Sequence, residues 1–141
     1  MELIISELAL QIATEAHQGQ EDKAGVDYIE HPKTVASFVS TDEEKATAYL
    51  HDVLEDTAIT AEELLNKGIP ENVVKAVELL TKKKGQPYFE YLEDVKSNSI
   101  SRIVKLADLR HNSDLSRLKK ITETDYKRIE KYKKAIDFLS I

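Results

Sequence analysis

Apolar residues recur at helical spacing along most of the chain and are separated by short polar stretches. The first apolar stripe is formed by Leu3, Ile4, Leu8, Ile12 and Ala16. This spacing, in which every third or fourth residue is apolar, predicts a helix over residues 2–17. Thr41 and Glu44 form a capping-box pair, which predicts a helix start there and a helix that continues to about Asp56.

The helical pattern extends to the end of the chain. Thr60 and Glu63 form a second capping-box pair and predict another helix start. The later apolar stripes begin at Val73, Tyr88, Ile100 and Tyr126. Only 4 Gly, 3 Pro and 6% aromatic residues are present, which disfavours a turn-rich sandwich or barrel. We therefore expect an all-α, bundle-like single domain over residues 1–141, with seven or eight helices.

The composition narrows the class of protein further. Cys is absent, which excludes disulfides, thiolate metal sites and cysteine nucleophiles. No uncharged apolar run approaches the roughly 18 residues that a membrane span needs, and the N-terminus lacks the basic segment of a secretory signal. We expect a cytoplasmic protein without a membrane partner. The amphipathic last helix is compatible with a homo-oligomer.

The formal net charge of −6 is distributed unevenly. Residues 1–96 contain nine Lys or Arg against twenty Asp or Glu, whereas residues 97–141 contain eleven against six. A nucleic acid is a poor partner for this surface, because binding to phosphates along a nucleic acid needs a strongly basic footprint. A small anionic ligand, held in part by the basic C-terminal section, is compatible with the charge pattern.

The first candidate for chemistry is the acidic stretch around His51 and Asp52. On a helix, residues four apart share a face, so His51 lies over Glu55 and Asp52 over Asp56. Carboxylates this close repel each other, and a divalent cation would compensate them, since imidazole nitrogen and carboxylate oxygen are common metal ligands. The alternative is a solvated acidic helix end with a half-buried histidine.

Two further segments carry candidate ligands. His31 precedes Pro32, a residue that suits the first turn of a helix, so His31 lies at a helix entrance; a structural histidine is the alternative. Lys105, Asp108 and Asn112 share one helix face in an otherwise apolar run. A buried Asp108 needs a partner, and either a salt bridge to Lys105 or a metal ion would supply one.

Taken in order, these motifs resemble a known family, the RelA/SpoT-type HD-domain hydrolases, which include small stand-alone enzymes that degrade guanosine tetraphosphate. The resemblance rests on His31-Pro32, His51-Asp52, Glu55-Asp56-Thr57, Lys105-Leu106-Ala107-Asp108 and His111-Asn112. The motifs follow one another from about residue 13 to residue 115. The resemblance implies an HD-type metal-dependent phosphohydrolase domain. It also implies one divalent ion, usually Mn²⁺ in this family.

The resemblance also assigns roles to individual residues. The implied metal ligands are His31, His51, Asp52 and Asp108. The implied acid/base pair, which orients and deprotonates the attacking water, is Glu55 and Asp56. The residues implied to meet the nucleotide are Lys23, Asn112 and Lys105. A structural ion pair to Asp108 is an equally good interpretation of Lys105. The implied substrate is guanosine tetra- or pentaphosphate, cleaved to GDP or GTP and pyrophosphate.

Two departures from the family pattern bear on the substrate. Asp22 stands where the family usually has an arginine that packs on the guanine, and a carboxylate cannot stack as a guanidinium does. Arg110 is one residue beyond the usual arginine, about 100° around the helix. A second hypothesis therefore keeps the site but changes the substrate to a nucleoside monophosphate or the 2′-phosphate of NADPH. A third is a non-catalytic helical interaction module.

Overall fold

The computed structural model describes residues 4–22, 25–114, 116 and 120–141. Its helices are α1 (Ile5–Ala16), α2 (Glu30–Ser37), α3 (Asp42–Leu50), α4 (Val53–Asp56), α5 (Ala61–Asn66), α6 (Glu71–Leu80), α7 (Tyr88–Lys96), α8 (Ser99–Asn112) and α9 (Glu123–Ser140). Among the described residues no strand forms beyond one isolated bridge between Glu21 and Asp27. The predicted all-α class is confirmed, and eight of these helices have six or more residues.

The interior consists of two adjoining apolar clusters with α3 between them. One is formed mainly by α2, α7, α8 and α9, and its largest fully buried side chains include Leu92 and Leu109. The other is formed by α1, α5 and α6 together with Leu50 and Val53. Tyr49 packs against both clusters. Because α3 packs against α1, α2, α6 and α8, it contacts both halves of the core.

No described helix combines the length and the apolar character that crossing a membrane would require.

The predicted helix starts at Thr41 and Thr60 are confirmed. The Glu44 amide donates to Thr41 Oγ1 at 3.1 Å, and the Thr41 amide donates to Glu44 Oε1 at 3.1 Å, which completes the capping box. At α5 the Glu63 amide donates to Thr60 Oγ1 at 3.2 Å. These side chains satisfy amide groups that have no partner within the helix itself, and they fix where α3 and α5 begin.

We expect Thr41→Ala to lower the free energy of unfolding by about 1 kcal/mol, the usual cost of losing a threonine N-cap. Thr14→Ala is the matched control, because Thr14 is an exposed threonine inside α1 whose hydroxyl donates to the Leu10 carbonyl. Urea unfolding followed by circular dichroism measures both variants. Equal stability of the two would show that the cap does not anchor α3.

The expectation of one continuous helix to Asp56 is wrong, because α3 ends at Leu50 and α4 begins at Val53. His51 Nδ1 donates to the Ala48 carbonyl oxygen at 2.6 Å, and this carbonyl is the acceptor that a continuing helix would offer to the Asp52 amide. Asp52 then adopts φ −107° and ψ 0°. The helix is therefore interrupted at His51 and Asp52, two of the predicted metal ligands.

Candidate metal centre

The four predicted metal ligands come from three places that are far apart in the sequence. His31 is the second residue of α2, and Asp108 lies in the second half of α8. His51 and Asp52 lie at the break between α3 and α4. Because α3 packs against both α2 and α8, the fold brings all four side chains into one cluster.

The cluster is held by short contacts between imidazole nitrogens and carboxylate oxygens. His31 Nε2 lies 2.7 Å from Asp108 Oδ1, and His51 Nε2 lies 3.2 Å from the same oxygen. His51 Nε2 also lies 3.1 Å from Asp52 Oδ2. Ligand atoms of His31, His51 and Asp52 all lie within 4.8 Å of one another. The ligand atoms of these three residues and the Asp108 oxygen that contacts both imidazoles therefore converge on one small region.

The hydrogen bond of His51 shows that these residues fit a metal ion. The Ala48 carbonyl oxygen can only accept, so the proton of neutral His51 is on Nδ1. The lone pair of Nε2 then faces carboxylate oxygens of Asp52 and Asp108. Electron pairs in this arrangement repel unless a positive charge lies between them, either a second ring proton or a cation. Neutral imidazole and carboxylate are ligands that Mn, Fe, Ni and Zn accept, so the donor set fits a divalent ion.

The electrostatics of the cluster favour positive charge at this point. Burial lowers the pKa of His51, but the charges of Asp52 and Asp108 outweigh it and raise the pKa well above its usual range. For Asp52, burial raises the pKa, while the charge and hydrogen bond of His51 bring it down to about 2. The negative charges that favour a protonated His51 would also favour a metal cation at the same place.

Asp108 is fixed by its neighbours on α8. Lys105 Nζ lies 3.0 Å from Asp108 Oδ2, and Asn112 Nδ2 donates to Asp108 Oδ1 at 3.1 Å. Burial raises the pKa of Asp108, but the positive charge of Lys105, with that of His51, holds it well below its usual range. The salt bridge considered for Lys105 is therefore present, and it uses one carboxylate oxygen while the other faces the histidines.

The two predicted acid/base residues follow shortly after His51 and Asp52 and interact electrostatically with Asp52. Glu55 and Asp56 lie in α4, and both are exposed. Burial is the largest cause of the raised pKa of each, and the negative charge of Asp52 is the second. Partly protonatable carboxylates next to a cation site are suited to accepting and returning a proton.

Tyr28 is a site residue to which the sequence analysis assigned no role. The Tyr28 hydroxyl donates to Asp52 Oδ2 in a short hydrogen bond. Its ring packs against His17 at 4.8 Å between centroids and against His31 at 5.8 Å. The signal available in the sequence was its position three residues before His31. Tyr28 therefore orients a candidate ligand, and it closes the cluster on the side of the α1–α2 connection.

The connection between α1 and α2 also contains the two loop residues that the resemblance singled out. Lys23, implied to contact phosphate, lies outside the described residues. Asp22 makes a local contact, in which its Oδ1 accepts from the Val26 amide at 3.0 Å. Its own amide donates to the Val26 carbonyl at 2.9 Å. Asp22 thus bonds to Val26 through both its side chain and its backbone. Arg110, the displaced arginine, stacks over the Phe38 ring at 4.0 Å.

The helical fold and the His/Asp cluster together define an all-α domain with a candidate metal site. The family model described as HD domain matches residues 9–135. The chain belongs to the HD domain family, as its motifs predict.

Curated relatives carry names that agree with this assignment. One is the guanosine-3′,5′-bis(diphosphate) 3′-pyrophosphohydrolase of Borreliella burgdorferi, 35% identical over 121 residues, or 74% of this chain and 18% of that protein. Another is the bifunctional (p)ppGpp synthase/hydrolase SpoT of Escherichia coli K12, 34% identical over 119 residues, or 74% of this chain and 17% of that protein. The chain therefore spans less than a fifth of the length of these relatives.

A solved structure has a similar fold. It is described as a metazoan ortholog of SpoT that hydrolyzes ppGpp and plays a role in starvation responses. The TM-score is 0.79, with 24% sequence identity, over 99% of this chain and 87% of that chain. The likeness confirms the HD-domain helical fold that the motifs predict.

Proposed function

We propose that this chain is a metal-dependent phosphohydrolase that removes the 3′-pyrophosphate of guanosine tetra- or pentaphosphate, and that residues 1–141 form one HD-type domain. The observation that carries the proposal is the convergence of His31, His51, Asp52 and Asp108 in a chain of the HD domain family. The names of its curated relatives supply the substrate. The cytoplasmic location and a homo-oligomeric state remain predictions.

The four converging residues would hold one divalent ion, for which we propose Mn²⁺. Such an ion, when bound, lowers the pKa of a water molecule and polarises a phosphoryl oxygen. His51 contributes through Nε2, because its Nδ1 proton is bonded to the Ala48 carbonyl. Asp108 remains ionised beside Lys105, so its Oδ1 is available on the side of the histidines.

Glu55 and Asp56 accept a proton from the attacking water and return a proton to the leaving group. Water attacks the phosphorus attached to the 3′-oxygen, and the bond between this phosphorus and the 3′-oxygen breaks. One proton of the water passes to the carboxylate pair, and the 3′-oxygen leaves with a proton, so the products are GDP or GTP and pyrophosphate. A raised carboxyl pKa favours this exchange, because burial and the charge of Asp52 make the acid form of each carboxyl easier to reach.

Three residues are proposed to meet the nucleotide. Lys23 offsets phosphate charge, as the family resemblance implies. Asn112 lies on the same helix face as Asp108 and positions the nucleotide beside the cluster. Lys105 adds positive charge at the cluster while it remains bonded to Asp108.

A second candidate function keeps the site and changes the substrate. It is favoured by Asp22, which stands in place of a guanine-packing arginine and is bonded to Val26. The alternative substrates are a nucleoside monophosphate and the 2′-phosphate of NADPH. The difference between the two hypotheses lies in recognition of the base, and the metal centre is common to both.

The test is anion-exchange analysis of nucleotides incubated with metal-stripped protein, with and without Mn²⁺. We expect Mn²⁺-dependent release of GDP and pyrophosphate from guanosine tetraphosphate. The same experiment includes adenosine and guanosine monophosphates and NADPH. Faster turnover of one of these nucleotides than of guanosine tetraphosphate would favour the second hypothesis. Metal binding without turnover of any nucleotide would favour the third hypothesis, a non-catalytic module.

A further inference from the structure

His31 is contacted at both of its ring nitrogens by side chains of α8. Its Nε2 lies 2.7 Å from Asp108 Oδ1, and its Nδ1 lies 2.7 Å from His111 Nδ1. Asp108 and His111 are three residues apart and therefore share a face of α8. One helix thus supplies the partners for the two nitrogens of a histidine on another helix.

The contact between His31 and His111 is a hydrogen bond in the plane of the rings. The two ring planes differ by only 14°, while the ring centroids are 4.9 Å apart. Face-to-face stacked rings would not bring two nitrogens to 2.7 Å at this centroid separation, whereas nearly coplanar rings joined edge to edge would. A hydrogen bond of this kind needs a proton on one of the two Nδ1 atoms and a lone pair on the other.

The position of the proton follows from what His31 must do at the metal centre. A histidine that binds a metal through Nε2 has its proton on Nδ1, and the partner of that proton orients the ring. With a metal ion on Nε2, His31 is therefore the donor to His111 Nδ1, and His111 is the acceptor, with its own proton on Nε2. The reverse arrangement would leave His31 Nδ1 as a lone pair and its Nε2 with the proton, which would block the ligand position.

We infer that His111 is a positioning residue, which fixes the tautomer and the orientation of His31 for metal binding through an Nδ1–H···Nδ1 hydrogen bond. The inference rests on the metal centre of the proposed function, and it adds a residue to which the sequence analysis gave no role. The Phe38 ring lies 6.5 Å from His111 between centroids and edge-on to it, and it offers no hydrogen-bonding group to the imidazole.

The first test compares metal affinity by calorimetry for three variants and the unaltered protein, with Mn²⁺ as the probe. His111→Phe keeps a ring but removes the acceptor, and we expect its Kd to rise by about 10- to 100-fold, the usual cost of losing a partner of a ligating histidine. His111→Asn returns an acceptor oxygen near the position of Nδ1 and should retain most of the affinity. Arg110→Ala, which removes the neighbouring contact to Phe38, should leave the Kd unchanged.

The second test determines which ring nitrogens of His31 and His111 are protonated. Long-range ¹H–¹⁵N spectra of the Zn²⁺-loaded protein, which is diamagnetic, should show a protonated Nδ1 on His31 and an unprotonated Nδ1 on His111. A proton on His111 Nδ1, or an unchanged Kd in His111→Phe, would overturn the inference while leaving the proposed function intact. Failure of the unaltered protein to bind either ion would overturn the metal centre itself, and the two failures are therefore distinguishable.

Discussion

Asp108→Asn is expected to abolish metal binding and to lower the free energy of unfolding of the metal-free protein by about 3–5 kcal/mol, as breaking a buried ion pair usually does. The Asp108 side chain is 7% exposed, and the Lys105 side chain beside it is 15% exposed. The substitution removes the negative charge and leaves a buried ammonium without a counter-charge. Urea unfolding measures the stability, and calorimetry with Mn²⁺ measures the binding.

Glu30→Gln is the matched control for this substitution. Glu30 and Lys33 form an ion pair with the same spacing of three residues on a helix, at 3.7 Å, but both side chains are about half exposed. Exposed pairs contribute roughly 0–1 kcal/mol. Replacing Lys105 by Met together with Asp108→Asn should recover part of the lost stability, because no unpaired charge remains. Equal losses in the single Asp108 and Glu30 variants would contradict the buried ion pair.

Glu55→Gln is expected to lower turnover by about 10²- to 10⁴-fold, the range that a positioned general acid or base contributes. The side chain keeps its shape but can no longer accept a proton. Glu55 is exposed, and no hydrogen bond or ion pair described in the structure joins it to the four converging residues. Stability and Mn²⁺ affinity should therefore change little. Initial rates at saturating Mn²⁺, together with calorimetry, separate the two effects.

Glu78→Gln controls for the loss of an exposed carboxylate elsewhere, since Glu78 lies on the solvent side of α6. Its turnover should equal that of the unaltered protein. Full turnover in Glu55→Gln would remove Glu55 from the acid/base role, and Asp56 would then be the residue to replace.

The helices of this protein could be predicted well from local signals. The capping signals at Thr41 and Thr60 are contained within four residues each; the structure forms the full capping box at Thr41 and the threonine N-cap at Thr60. The same local reasoning failed at His51, where a side chain competes for a backbone acceptor and interrupts the helix. Periodicity of apolar residues does not report such competition, because Leu50 and Val53 keep their places in the apolar stripe on either side of the break.

The candidate site could be predicted only in part from the residues themselves. Crowding of acidic groups near His51 and Asp52 indicated a cation there. It could not predict that His31 and Asp108 lie close to the same place. Their convergence depends on how α2 and α8 pack against α3, which is a property of the whole core. The contacts of Tyr28 and His111 depend on the same packing, and no spacing rule within the sequence connects residue 31 with residue 111.

The ion pair of Lys105 with Asp108 has a consequence for how a charged ligand approaches the protein. Asp52 and Asp108 together contribute two negative charges, and Lys105 cancels one of them. With a divalent cation in place, the four converging residues and Lys105 then carry one net positive charge, beside the carboxylates of Glu55 and Asp56, in a chain whose formal net charge is −6. A local field of this sign attracts polyphosphates and speeds their encounter with the site, while the acidic surface around it repels longer polyanions.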